Sequence, residues 1–192
     1  MRPGEIRYHP HREDGFLVVS AAAFNVLPGN PVVWGVPYTS AGYDPMRLTH
    51  LDRTLFTDQA DSPADPSSLR QVLRFVHWAF VGDQAFWDAT PAQRQAHEAA
   101  LGESDEVDQG DVVVDDDGMS MVVISGPGFN STPGSDLLWT VRVESDGTVH
   151  PHLVMNRTRQ ELRATPFTIG PDALRRQLVI IERDILNLPP LA

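Results

Sequence analysis

The 192 residues contain no cysteine. Disulfides, thiolate metal sites and cysteine nucleophiles are therefore excluded. Lysine is absent too: all fifteen cations are arginines, set against 26 aspartates and glutamates for a formal charge of −11. The lack of lysine reads first as genome bias. The acidic balance predicts good solubility and poor non-specific affinity for nucleic acid. No apolar run approaches the length of a membrane span, and the N-terminus carries no apolar stretch of the secretory type. The expectation is a cytoplasmic protein with no membrane contact. What remains is an ordinary globular balance, 41% apolar and 21% charged, which can bury a core.

The chain writes nearly the same text twice. GFLVVSAAAFNVLPGNPVVW at residues 15–34 returns as SMVVISGPGFNSTPGSDLLW at 120–139. Val18, Ser20, Phe24, Asn25, Pro28, Gly29 and Trp34 match Val123, Ser125, Phe129, Asn130, Pro133, Gly134 and Trp139. With one residue of slip, Gly4-Glu5-Ile6 matches Gly110-Asp111-Val112. A spaced identity of this kind points to internal duplication. Phe16–Val19 and Met121–Ile124 are short β-branched runs that read as strands buried on both faces. Asn25 with Pro28-Gly29, and Asn130 with Pro133-Gly134, punctuate the turns that follow. The runs 31–36 and 137–143 read as the next strands, with Trp34 and Trp139 as equivalent core anchors.

Helices are expected between and after the copies. Leu69, Val72, Leu73, Val76, Ala79 and Phe80 form an apolar stripe that Ser67 or Ser68 can cap. A second helix is expected from Thr90-Pro91 to about Leu101, and a short strand at 167–169. Gly170-Pro171-Asp172 opens a closing helix with Leu174, Leu178, Ile181 and Ile185 on one side. The expected domains are 1–102, an acidic linker at 103–109, and 110–192.

Gly4-Glu5-Ile6, Leu17-Val18-Val19-Ser20, Phe24-Asn25 and Val36-Pro37-Tyr38-Thr39-Ser40 occur in an order and spacing that resembles the MazF/PemK family of toxin–antitoxin ribonucleases. The likeness covers about forty residues of the first copy and about thirty of the second. It implies a mainly β, α+β fold: two tandem SH3-like small β-barrels, each followed by helix, joined as a pseudo-dimer. The chain would then be a monomer with an internal pseudo-two-fold axis, or a homodimer. The family cleaves single-stranded RNA without metal or cofactor. Cleavage is served by an arginine before the hydrophobic strand and a threonine after the P-x pair. A guanidinium stabilises the charge that develops on phosphorus, and a hydroxyl can hydrogen-bond it.

Here Thr39 stands at the threonine position, but Asp14-Gly15 replaces the arginine-proline pair. Arg12, two residues earlier, is the candidate substitute. His9 and His11 share that loop and can act as acid and base, as metal ligands or as plain loop residues. A second pair, His150 and His152, stands at a non-equivalent position and favours the plain reading. The second copy has Asp115-Asp116-Asp117-Gly118 in the corresponding loop and no threonine after a proline, so it reads as catalytically dead. Ser20, Asn25, Ser125 and Asn130, shared by both copies, read as structural hydrogen bonders. The resemblance leaves two functions open. One is a protein-binding module whose partner is an antitoxin-like chain or another protein. The other is an endoribonuclease acting on single-stranded RNA with one site at His9, His11, Arg12 and Thr39. The acidic stretch 103–117 is a linker, or a tethered competitor for a groove that Arg7, Arg12, Arg47 and Arg53 would line.

Overall fold

The computed structural model describes residues 1–8, 15–56, 62–81, 107–132 and 134–188. The expected second helix, the loop holding His9, His11 and Arg12, and most of the acidic linker lie outside these residues. The fold is mixed α+β and dominated by two antiparallel sheets. The first is built from β1 (Glu5–Tyr8), β2 (Gly15–Val18), β3 (Val32–Thr39), β4 (Gly42–Tyr43), β5 (Thr49–Asp52) and β6 (Ser62–Pro63). The second comprises β7 (Asp111–Asp115), β8 (Ser120–Val123), β9 (Leu137–Val143), β10 (Val149–Thr158) and β11 (Leu162–Thr168). In the first, β5 pairs β3 and the order continues β3-β2-β1-β6; the second runs β10-β9-β8-β7-β11. The two orders are the same, strand for strand, apart from the short β4 beside β3.

The four α-helices among the described residues follow from local chemistry. Turns α1 (Ala22–Asn25) and α3 (Pro127–Asn130) occupy the segments where the sequence suggested turns alone. The long helix α2 (Pro66–Val81) begins one residue before the expected cap. Proline fills its first position, where a missing N–H costs nothing. The preceding Asp65, rather than a serine, accepts from the Ser67 hydroxyl. The closing helix α4 (Pro171–Val179) runs on into a π-helical stretch, Ile180–Ile185, which the periodicity did not foretell. Asn187, at φ 51°, follows the end of this stretch in the left-handed conformation that asparagine tolerates. None of the described helices is long and apolar enough to cross a membrane.

Each sheet buries both faces. Phe16, Val33 and Phe56 form a private cluster in the first half; Met121, Val123, Leu138 and Leu162 belong to its counterpart in the second. The alternate residues Leu17, Val19, Trp34 and Val36 enter one common core with Val122, Ile124, Trp139 and Val141. That alternation is why the strand segments read as continuous apolar runs. Both tryptophans are fully buried.

Neither sheet closes on itself among the described residues. The free edges β5 and β10 face each other instead. The His50 ring Nδ1 lies 2.5 Å from the Val154 carbonyl, and the Asn156 amide donates to the Leu48 carbonyl at 3.3 Å. In register, His50 opposes Trp34 as Asn156 opposes Trp139, so these two contacts are reciprocal. The indoles repeat the pattern: Trp34 Nε1 donates to the His152 carbonyl at 2.8 Å, and Trp139 Nε1 to the Met46 carbonyl at 2.7 Å. The helices exchange as well. The carbonyl of Ala79 in α2 accepts from Gly126 at the start of α3, and that of Ile185 from Ala21 at the start of α1, both at 2.7 Å. Phe80 of α2 packs 5.1 Å from the Trp139 ring.

A shared core predicts a single cooperative unfolding transition. Phe80→Ala, a change in α2, is expected to cost about 3–5 kcal/mol and to lower the stability of both halves together. Urea unfolding of the otherwise unaltered chain, followed by far-UV circular dichroism and by tryptophan fluorescence, checks this: distinct midpoints would show independent halves.

Candidate functional site

Of the four candidate residues, only Thr39 is described. It is the last residue of β3, half-buried, and its hydroxyl oxygen accepts from the Ala41 N–H at 3.1 Å. That bond tightens the reversal into β4, where Gly42 adopts φ 111°. Glycine takes this left-handed geometry without a Cβ clash. The reversal sets Tyr38 opposite Tyr43, with ring centroids 4.9 Å apart.

Thr39 lines a cleft of about 550 Å³, together with Gly15, Tyr43, Asp44, Arg47 and Leu55. Gly15 is the residue at which the loop of His9, His11 and Arg12 rejoins the described chain. Arg47 is the cleft's one cation among the described residues, and it pairs with Asp44 at 3.3 Å. Both side chains are well exposed, 62% and 45%, so the pair is weak and solvent-screened. Asp44 is also held by the Met46 N–H at 3.2 Å. Tyr43 and Asp44 escaped the sequence reading. The tight turn at residues 39–42, which folds the next segment back beside Thr39, was the signal that could have found them.

Two other copy-one arginines, Arg7 and Arg53, serve the fold. Arg7 is buried and bound to Glu5 at 2.7 Å. Hydrogen bonding to Arg7 and to the Arg2 backbone more than offsets burial and holds Glu5 below the usual glutamate range. Arg53 donates to the Asn25 carbonyl at 2.8 Å, as Arg159 does to that of Asn130. Ser20, Asn25, Ser125 and Asn130 behave as the repeat implied. Asn25 Oδ1 lies 2.5 Å from the Ser20 hydroxyl, which accepts from the Trp34 N–H at 2.9 Å. The second half matches, with 2.6 Å and 3.0 Å. These are buried turn-to-strand locks, and no reacting group is needed to account for them.

In the second half, Glu144 takes the position of Thr39 in the repeat. It lies 3.0 Å from Arg142 and 3.3 Å from His150. The aspartate run before Gly118 forms a turn on the Asp115 carboxylate, which accepts from the Asp117 and Met119 N–H groups at 3.1 and 2.8 Å. His150 and His152 meet edge to face at 5.5 Å, next to the junction between the halves.

Comparison with protein-family models, with curated proteins and with solved structures finds no match to this chain.

Two histidines give the fold a pH dependence. Burial, and then the nearby His150 and His50, push His152 below the ordinary histidine value of 6.5; burial alone lowers His77. Glu182 lies 3.7 Å from His77 and is pushed up by burial, so desolvation outweighs their attraction. A histidine lowered in the folded state makes unfolding take up protons. Stability is therefore expected to fall as pH drops below about 6.5, levelling off beneath the folded pKa. Glu182, raised by burial, opposes this where its protonation favours the folded state. Urea midpoints measured between about pH 7 and 5 should decline, and less steeply in His152→Gln.

Proposed function

We propose that the chain is a fused pseudo-dimer of two MazF/PemK-like, SH3-like barrel units, and that it binds a protein partner, an antitoxin-like chain. The observation that carries this reading is the charge of the Thr39 cleft. Phosphoryl cleavage needs an uncompensated cation beside the reacting group. The described cleft instead holds one arginine matched by one aspartate, and its walls include Phe16, Tyr43, Leu51, Leu55 and Phe56. The equivalent position in the other half carries Glu144, which would repel a phosphate. A mostly apolar cleft with one balanced ion pair suits a polypeptide side chain better than a polyanion. The excess of acidic residues over the whole chain supports the same choice.

A second reading, a metal-independent endoribonuclease, draws on one specific feature. Thr39, Arg47 and Gly15 line a single cleft, and Gly15 ends the loop that bears His9, His11 and Arg12. In this reading, Thr39 and Arg47 contact the phosphate and the loop supplies the remaining groups.

The two readings separate in one set of measurements. Incubated with mixed-sequence single-stranded RNA in chelator, the purified chain should leave the RNA intact. Co-expressed with the products of the reading frames flanking its own, it should form a stoichiometric complex. Leu55→Asp, at the exposed rim of the cleft, should weaken that complex by about tenfold or more. Cleavage without metal that is lost in both Thr39→Val and Arg47→Ala would establish the nuclease instead.

A further inference from the structure

Most of the described arginines are committed. Arg7, Arg47, Arg142, Arg157, Arg163 and Arg183 pair with carboxylates, and Arg53 and Arg159 bond backbone carbonyls. Among the described residues, neither Arg175 nor Arg176 of α4 has such a partner, and both are exposed. They share one helix face with Asp172 a turn before them, Val179 and Ile180 a turn after, and Arg183 beyond. That spacing places all of these side chains on one stripe. Together they line a hollow of about 500 Å³ on the outside of α4 and its π-helical extension.

The needs of the helix account for the aspartate and not for the arginines. Asp172 lies in the first turn, where it complements the positive end of the helix dipole. Arg175 and Arg176 do not stand at a free helix end, because the element runs on through the π-helical stretch to Ile185. Val179, 42% exposed, puts an apolar side chain between these two arginines and Arg183. The matching face of α2 lacks this arrangement: Gln71 stands where α4 has Arg176, and Arg74 where α4 has Val179. Two uncompensated guanidinium groups beside exposed aliphatic carbon, in a chain of formal charge −11, form a local field opposite to that of the whole molecule.

We propose that this face of α4 is a docking site for an acidic polypeptide segment whose carboxylates flank an apolar side chain. Planar guanidinium groups match carboxylates in a fork, and Arg175 and Arg176 are free to do so. The apolar side chain of the segment would rest on Val179 and Ile180. From Arg176 to Arg183 the helix rises about 10 Å. Three residues of an extended chain cover about the same distance, which sets the spacing of the carboxylates. Aspartates bound the stripe at both ends, Asp172 before it and Asp184, paired with Arg183 at 2.6 Å, after it. A continuous phosphate backbone would run over these charges, whereas a short acidic segment ends between them. The face shares no lining residue with the Thr39 cleft. The inference therefore stands apart from the reading of that cleft, and either can fail without the other.

The test titrates the full chain with the peptide acetyl-Asp-Glu-Leu-Glu-Asp-amide at low salt, followed by amide NMR. Saturable shifts are expected at Arg175, Arg176, Val179 and Arg183, with half-saturation on the order of millimolar peptide or below. The amide counterpart, acetyl-Asn-Gln-Leu-Gln-Asn-amide, should bind at least about fivefold more weakly, and added salt should narrow that difference. The double variant Arg175→Gln/Arg176→Gln should weaken the acidic peptide about fivefold or more. Should it lose its fold, Arg176→Glu alone takes its place with the same expectation. Val179→Ser should weaken the acidic peptide as well, which a patch that binds any anion would not show. Absence of saturable shifts on α4 in the parent chain overturns the proposal. So does an affinity left unchanged by the arginine variants or by Val179→Ser. A short oligouridylate of equal charge that binds this face more tightly than the peptide would assign it to nucleic acid, and would also overturn it.

Discussion

Two buried indoles organise this molecule. Trp34 and Trp139 are wholly removed from solvent, and each carries an N–H that cannot be left unpaired in a core without a penalty of about 1–3 kcal/mol. Neither finds its acceptor within its own half. Each donates to a backbone carbonyl on the other half, at His152 and at Met46. Separating the halves would thus expose two large apolar rings and break both bonds at once. The facing strands β5 and β10 follow the same rule. Across the junction His50 of β5 meets the Val154 carbonyl of β10, and Asn156 of β10 donates to the Leu48 carbonyl just before β5. An open sheet edge, which otherwise invites association with other chains, is covered from within.

The reciprocal helix exchange extends this constraint. The end of α2 docks on α3, and the π-helical end of α4 docks on α1. Each sheet is therefore capped by the helix of the opposite half. The inserted π-helical residue shifts the register of the closing helix relative to α2. The docking hydrogen bond nevertheless has the same length in both halves. Small insertions of this type can re-aim a side chain without breaking the helix that carries it.

Against that common frame, the differences between the halves become informative. Positions that hold turns and strand ends together are shared: the serine–asparagine locks and the arginines on the Asn25 and Asn130 carbonyls. Positions that face clefts have diverged. Thr39 stands opposite Glu144, and Val26 and Leu27 opposite Ser131 and Thr132.

The strands, the duplication and the helix stripes were legible because they rest on local regularities: β-branched runs, a repeated turn text and apolar spacing at helical period. Phe16 to Val19 announced a strand buried on both faces, and the structure divides those faces between a private cluster and the common core. The sequence also offered Thr39 as a site residue and Ser20 and Asn25 as structural bonds. It could not show that Arg7 and Arg53 are committed to the fold while Arg47 lines the cleft, because all three look alike as isolated cations. Nor could it show that the sheets stay open, since strand periodicity is silent about what covers an edge. The acceptors of Trp34 and Trp139 lie more than ninety residues away along the chain. The partners of buried polar groups and the exchange of helices depend on which distant segments meet, and only tertiary packing decides that.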